Sequence, residues 1–471
     1  MDWPRLLSPK RFPDTSSQIY IRARPPWQQD YDRLVFCSAF RRLQDKTQVH
    51  PLSGSDYVRT RLTHSLEVSS VARSLGTLAG NHILEKHGRK KYQQSTLRAS
   101  LTPLDVGMIS SAAALAHDIG NPPFGHSGED AIRYWFATSA VAAKVKLNLT
   151  DSQILDFESW EGNAEGFRLL SRLQMSRDQW GMRLTAATLG SFMKYPISSK
   201  AFVADRSLAD ESNLKQEIAR KKPGIFRHDL ELWREVASEL GLPEHKSGEM
   251  WPRHPIAFLT EAADDICYRI VDLEDGFRLG RVTFAEFRDR ILPLFDKGKR
   301  SKVVTRLREQ HDEPNKASYL RAMAIGELIR QVDEAFRANE EALLNGTMKT
   351  SLLKETIAFS QLDKISDFTR VRVYSAPNVL QIEAAGFEII SGLLDLFVGT
   401  LEALSSDESL HSSLQAKKLA QLMPRECFGP KGRPTKVPYV RLLDAVDFVA
   451  GMTDTFALDL FRKIRGVTIP R

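Results

Sequence analysis

LTEAADDICYRIVDLEDGF, residues 259–277, decides the fold class. Its apolar residues Leu259, Ala263, Ile266, Ile270, Leu273 and Phe277 step by four and three alternately, which at 3.6 residues per turn draws one continuous stripe down a helix. A long core helix is predicted here. On another side Asp264, Tyr268 and Asp272 fall at i, i+4 and i+8. A tyrosine bracketed by aspartates one turn away on each side suits a pocket wall. Asp265, Glu274 and Asp275 need be no more than a solvated acidic face.

The same period recurs outward along the chain, in Ile325, Leu328, Ile329, Val332 and Phe336 and again in Ile382, Phe387, Ile390, Leu394 and Phe397. Only DFTRVRVYSAP (residues 367–377) alternates like a strand. The expectation is an all-α protein with at most a short β-hairpin. Residues 197–250 are polar and weakly periodic and read as an excursion from the core. No linker or internal repeat separates the stripes, which favours one helical body, read as a helical core, 1–280, with a C-terminal helical region, 281–471, packed on it.

With 471 residues, 42 % of them hydrophobic, the chain is long enough to bury a substantial core. Cys37, Cys267 and Cys427 are far apart and form no C-x-x-C pair, which excludes a disulfide framework and a thiolate metal site and suits a reducing cytoplasm. No run of about 18 apolar residues and no apolar leader segment is evident, so no membrane is expected. The net charge of +7 suits a phosphate-rich partner. The basic clusters at 219–222, 297–302 and 431–436 lack interleaved aromatics and read as solvated faces.

ALAHDIGNPPFGHSGED (residues 114–130) ends a helix of small residues on His117 and Asp118, then breaks it with Gly120, Asn121, Pro122 and Pro123. Histidine and carboxylate ligate borderline or hard divalent ions, but adjacent positions meet one ion only when other segments complete the shell. Alone, the pair reads as an ordinary surface dipeptide. His64, in RLTHSLEV (residues 61–68), reads alone as a hydrogen-bonded core histidine. Past the prolines Ser127 is placed to cap a helix, with Asp130 three residues on. His126 and Glu129 then face one point at a helix N-terminus, where backbone N–H groups attract phosphate oxygens. The break thus leads from a metal site on one helix to a phosphate and proton-transfer site on the next.

The order His, His-Asp, Asp resembles the HD-domain phosphohydrolases, and the finer motifs resemble the bacterial dGTP triphosphohydrolase family. AFRRLQDKTQV (39–49), RTRLTHSLEV (59–68), HDIGNPPFGHSGE (117–129), EGNAEGFRLL (161–170), MKYP (193–196), EAADDICYRIVDLEDG (261–276) and DFVAGMTDTFALDL (447–460) occur in family order over nearly the whole chain. The resemblance implies an HD-domain helical bundle in which His64, His117, Asp118 and Asp264 ligate a divalent metal, Mg²⁺ or Mn²⁺. It assigns His126 and Glu129 as the catalytic pair, Arg61, Lys194 and Tyr195 to the phosphates, Gln48 to the sugar 3′-hydroxyl, and Tyr268 and Asp272 to the substrate. Glu383 matches, more loosely, a position near the base. Asn121 stands where many members carry histidine, which shifts proton transfer toward His126.

The activity implied by the resemblance is hydrolysis of dGTP or several dNTPs at the α-phosphate, giving a deoxynucleoside and inorganic triphosphate. The resemblance also implies a homo-oligomer, tetramer or hexamer, dNTP activators, and single-stranded DNA as a partner. Two other readings compete: an HD-domain hydrolase of a nucleoside monophosphate or alarmone, and a nucleic-acid-binding regulator that keeps the pocket as a sensor.

Overall fold

The computed structural model of the chain describes residues 1–13, 24–48, 59–88, 101–174, 181–208, 217–374, 377–405, 414–429 and 432–467. Val49, Ser375, Ala376 and Lys431, which belong to stretches quoted above, lie outside the described residues. Among the described residues every regular element is helical, and β-type pairing is confined to four isolated bridges. The all-α expectation holds. Numbering only the helices that shape the site, these are α1 (Arg61–His87), α2 (Pro103–Ala116), α3 (His126–Thr138), α4 (Gly162–Arg168), α5 (Leu230–Leu240), α6 (Pro255–Arg278), α7 (Glu313–Ala338), α8 (Phe359–Thr369), α9 (Pro377–Ser405), α10 (Pro438–Ala450) and α11 (Asp454–Ile464).

Helix α2 is the axis of the main core. Residues 109–116 are buried without exception, because serine and alanine side chains allow neighbours to close in from several sides. Its partner α1 comes nearest at glycines: a Cβ on Gly76 would lie 2.7 Å from Ser110 Cβ, and one on Gly107 2.3 Å from Thr77 Oγ1. Helix α6 packs on both α1 and α2 and buries the whole 259–277 stripe except Phe277, which is partly buried. Pro255 opens α6, where its missing N–H costs nothing, and His254 Nδ1 accepts from Ile256 N.

A second hydrophobic cluster joins α3 to α9, α10 and α11, so the C-terminal region packs directly on the helix that follows the double proline. The Leu380–Ser405 part of α9 is long and apolar enough to cross a membrane by length and composition. Its Ile390, Leu393, Leu394, Phe397 and Leu401 are instead buried in this cluster. The polar stretch 197–250 is an excursion only in part, since α5 places Leu230, Trp233, Val236, Ala237 and Leu240 in the main core. These positions form a narrow amphipathic stripe that the surrounding lysines and glutamates dilute in any window average.

The described part of the alternating stretch, 367–374, is not a strand. Helix α8 runs to Thr369 and continues through a π-helical turn, Arg370–Tyr374. Tertiary contact overrides the alternation: Val373 is buried against α6, where a Cβ on Gly276 would lie 2.8 Å from Val373 Cγ2, and Tyr374 reaches Asp272.

Asp156 is buried beside the second cluster, where its Oδ2 accepts from Tyr439 Oη at 2.5 Å and from Arg227 N at 2.8 Å. Burial pushes its carboxyl up to about 7 despite these two donors. The folded state therefore holds this proton more tightly than the unfolded chain, and the associated stability declines as pH rises from about 4 to about 7. Asp156→Asn keeps an acceptor oxygen without a charge to desolvate. Denaturant melts at pH 5 and pH 8 are expected to show the variant gaining on the parent by about 2–4 kcal/mol at the higher pH. Identical pH slopes for the two proteins would refute this.

Candidate active site

Three segments distant in sequence meet beside the end of α2. His117 is the C-cap residue of that helix, and its Nδ1 donates to Ala114 O at 2.7 Å, which leaves Nε2 as the lone-pair donor. His64 lies one turn inside α1, whose start is fixed by a Thr60–Thr63 capping box. Asp264 comes from α6. The His64 and His117 rings stand 5.3 Å apart, and Asp264 Oδ1 lies 3.2 Å from His64 Nε2 and 3.5 Å from His117 Nε2. One donor atom from each of the three lies within 4.8 Å of the others. Two imidazole nitrogens and a carboxylate oxygen suit a divalent ion of the Mg²⁺–Mn²⁺–Zn²⁺ range.

Electrostatics favour a cation at that point. Burial opposes ionisation of Asp264, but His117, His64 and Lys194 outweigh it and hold the carboxyl well below the usual range. Burial likewise disfavours a charged His64, yet the hydrogen bond and charge of Asp264 raise it above its ordinary value. The site draws a proton to the place where a metal would sit. The fourth predicted ligand, Asp118, stands apart from the three. Its Oδ2 lies 3.5 Å from His117 Nε2 but accepts from Arg61 Nη1 at 2.7 Å, while Oδ1 accepts from Asn121 Nδ2 at 2.6 Å. Against burial, Arg61 and the two histidines hold Asp118 well below the ordinary carboxylate range.

A cavity of about 520 Å³ opens from these ligands and carries the other predicted side chains Gln48, Arg61, Lys194, Tyr195, His126, Tyr268 and Glu383 on its walls. Lys194 Nζ lies 3.7 Å from Asp264 Oδ2 and 3.8 Å from Glu261 Oε1, and its backbone carbonyl accepts from the buried Arg253. Gln48 Oε1 is buried without a hydrogen-bond partner among the described residues, an acceptor that faces the cavity. Tyr268 stacks on Tyr374 with ring centroids 5.8 Å apart. Asp272 is buried behind this pair, its Oδ2 accepting from Tyr374 Oη at 2.5 Å, and is not part of the cavity wall.

At the opposite wall His126 is the first residue of α3, its side chain 80 % exposed, and His126 Nδ1 lies 3.2 Å from Glu129 Oε2. Glu129 is buried, and its Oε1 accepts from Gly162 N at 3.0 Å. The predicted Ser127 cap is not formed. Gly125, at φ 59°, is the cap residue, because the chain enters α3 through a left-handed turn that starts at Phe124 (φ 62°) and places Ser127 inside the first turn. Asp130 pairs with Arg133 instead. Glu274 and Asp275 are likewise not a solvated face: both are buried and share Arg59.

Several wall residues escaped the sequence reading, Lys222 and Tyr374 among them. Lys222, the last residue of a basic cluster taken as solvated, lies 2.7 Å from Glu161 Oε1 and 3.7 Å from Glu129 Oε2. Tyr374 sits in the stretch read as a strand. Neither carries a local signal, since nothing in the spacing of ARKK or RVRVY marks one member as inward.

No family model matches the chain. Among curated proteins it is similar to a deoxyguanosinetriphosphate triphosphohydrolase-like protein of Synechocystis sp., 39 % identical over the full length of both chains. A Pseudomonas aeruginosa protein of the same description is 35 % identical, again over both full lengths. A deoxyguanosinetriphosphate triphosphohydrolase of Enterobacter sp. is 28 % identical, with 94 % of each chain covered.

Proposed function

Because the chain belongs to the deoxyguanosinetriphosphate triphosphohydrolase-like family and is a hydrolase, we propose that it cleaves dGTP or several dNTPs at the α-phosphate to a deoxynucleoside and inorganic triphosphate. One observation carries this reading: two members of a three-donor cation site, His117 and Asp264, and the cations Arg61, Lys194 and Lys222 line a single cavity of about 520 Å³, next to an exposed histidine backed by a buried carboxylate. Such a set neutralises a polyphosphate while serving a proton transfer.

His64, His117 and Asp264, with Asp118 beside them as the fourth candidate ligand, would hold a divalent ion, Mg²⁺ or Mn²⁺, which when bound would supply Lewis-acid stabilisation of charge on the α-phosphate. Arg61 and Lys194 take the phosphate oxygens, with Tyr195 beside them. His126, oriented by Glu129, moves the proton to or from the reacting oxygen. Gln48 offers its unpartnered oxygen to the 3′-hydroxyl, and Tyr268 packs on the sugar, where a 2′-hydroxyl has no room or partner. Asp272 acts through Tyr374, holding the ring on which Tyr268 stacks.

Purified protein is incubated with each dNTP, with GTP and with a dNTP mixture, in Mg²⁺ or Mn²⁺, and the products are separated. Deoxynucleoside and intact triphosphate are expected, with GTP left untouched. Release of orthophosphate or pyrophosphate alone, or silence in the mixture too, would sink the proposal and turn attention to other phosphoesters.

A further inference from the structure

The motif DFVAGMTDTFALDL, residues 447–460, takes no part in the chemistry above, yet the fold anchors it to both ends of the cavity. Asp454, the first residue of α11, is 1 % exposed. Its Oδ2 accepts from Thr47 N at 3.0 Å and Thr47 Oγ1 at 2.5 Å, and its Oδ1 accepts from Phe124 N at 2.9 Å. Thr47 immediately precedes Gln48. Phe124 is two residues before His126 and holds φ at 62°, a left-handed conformation that costs a bulky residue free energy unless its surroundings impose it. The Phe124 ring is seated against Gly386 of α9, where a Cβ would come within 3.0 Å of it.

Neighbouring bonds repeat the pattern. Lys46 Nζ donates to Asn121 O at 2.5 Å and to Ala450 O at 2.9 Å, Arg42 Nη1 donates to Gly451 O at 2.7 Å, and Thr455 Oγ1 donates to Asp45 Oδ1 at 2.8 Å. Every one of these ties 42–47 to the 450–455 segment or to 121–124. A plain structural staple would need only one such contact.

We propose that Asp454 is a positioning residue that sets the two ends of the reaction centre with one carboxylate, Gln48 through Thr47 and His126 through Phe124. The kinetic consequences rest on the dNTP reading above. Asparagine in its place turns an N–H₂ group toward one set of donors and leaves the other facing a neutral amide oxygen, so both loops lose the charged acceptor while volume is kept.

The test compares the parent, Asp454→Asn and Thr47→Val on the best dNTP and on its 2′,3′-dideoxy counterpart. Asp454→Asn is expected to melt cooperatively and to lose about tenfold or more in kcat on both substrates, the cost of a charged hydrogen bond at the His126 end. Its KM rises severalfold on the dNTP only, because the dideoxy analogue has no 3′-hydroxyl for Gln48 to meet. Thr47→Val reproduces the KM effect without the kcat effect. Kinetic constants of Asp454→Asn within about twofold of the parent, or KM effects that do not distinguish the two substrates, overturn the proposal. Should Asp454→Asn fail to fold, an unchanged KM in Thr47→Val overturns it alone. Amide hydrogen exchange without substrate provides a readout independent of turnover: Asp454→Asn, or Thr47→Val in its stead, is expected to expose 45–48, and the former also 121–126. Loosening confined to 450–460 counts against the proposal. If the parent releases no triphosphate, the substrate reading fails and exchange decides the positioning role.

Discussion

Asp264→Ala lowers kcat by about 10³–10⁴ while the protein stays folded, because the several kcal/mol of transition-state stabilisation expected of a bound ion are lost with one of its three converging ligands. Removing Asp264 leaves two histidines that are stable as neutral imidazoles, so no buried charge is orphaned on their side. Lys194 keeps Glu261 at 3.8 Å. Titration of Mn²⁺, followed by calorimetry, is expected to lose its tight phase in the variant. Asp265→Asn is the informative control. That carboxylate turns to Arg269, at 3.5 Å, and burial pushes it up to about 6. Its loss is expected to cost less than about tenfold in kcat. Equal damage from the two variants, or unchanged Mn²⁺ binding in Asp264→Ala, would mean that the cation site is built from other groups.

Gly120→Ala is expected to cost the protein much of its stability. The new Cβ would lie 2.1 Å from Gly162 O and 2.1 Å from Gly166 N, both main-chain atoms of α4. No rotamer relieves a collision with backbone, so either α4 shifts or the turn after His117 and Asp118 does. The cost is about 3 kcal/mol or more, at the upper end of overpacking penalties. Urea denaturation and soluble yield measure the first effect. Activity of whatever fraction folds measures the second, since displacement of the turn carries two predicted ligands with it. A variant within about 1 kcal/mol of the parent would show that the α2–α4 crossing yields more readily than its glycines imply.

Much of this molecule is legible in its sequence where period and spacing act locally. The 259–277 stripe specifies α6 because every fourth or third residue must be apolar to meet α1 and α2. His64, His117 and Asp264 are individually ordinary, and only their order along the chain joins them before the fold does. What stays hidden is set by distant partners. RVRVY alternates, yet it winds as a π turn because Val373 and Tyr374 find α6, a contact about a hundred residues away that no local rule contains. Ser127 has the residue type of a cap, but the left-handed pair Phe124 and Gly125 starts the helix two residues earlier. Lys222 cannot be told from Lys221 by spacing. Only the fold turns the former toward Glu129 and Glu161.

The bonds from Asp454 to Phe124 and Thr47 span 330 and 407 residues. During synthesis, at about 5–20 residues per second, the turn that presents His126 leaves the ribosome about 20–60 s before the carboxylate that holds it. The histidines and aspartates can gather earlier, but for that interval the turn before His126 lacks the acceptor that holds it. A site assembled this way waits on a side chain made long after its own.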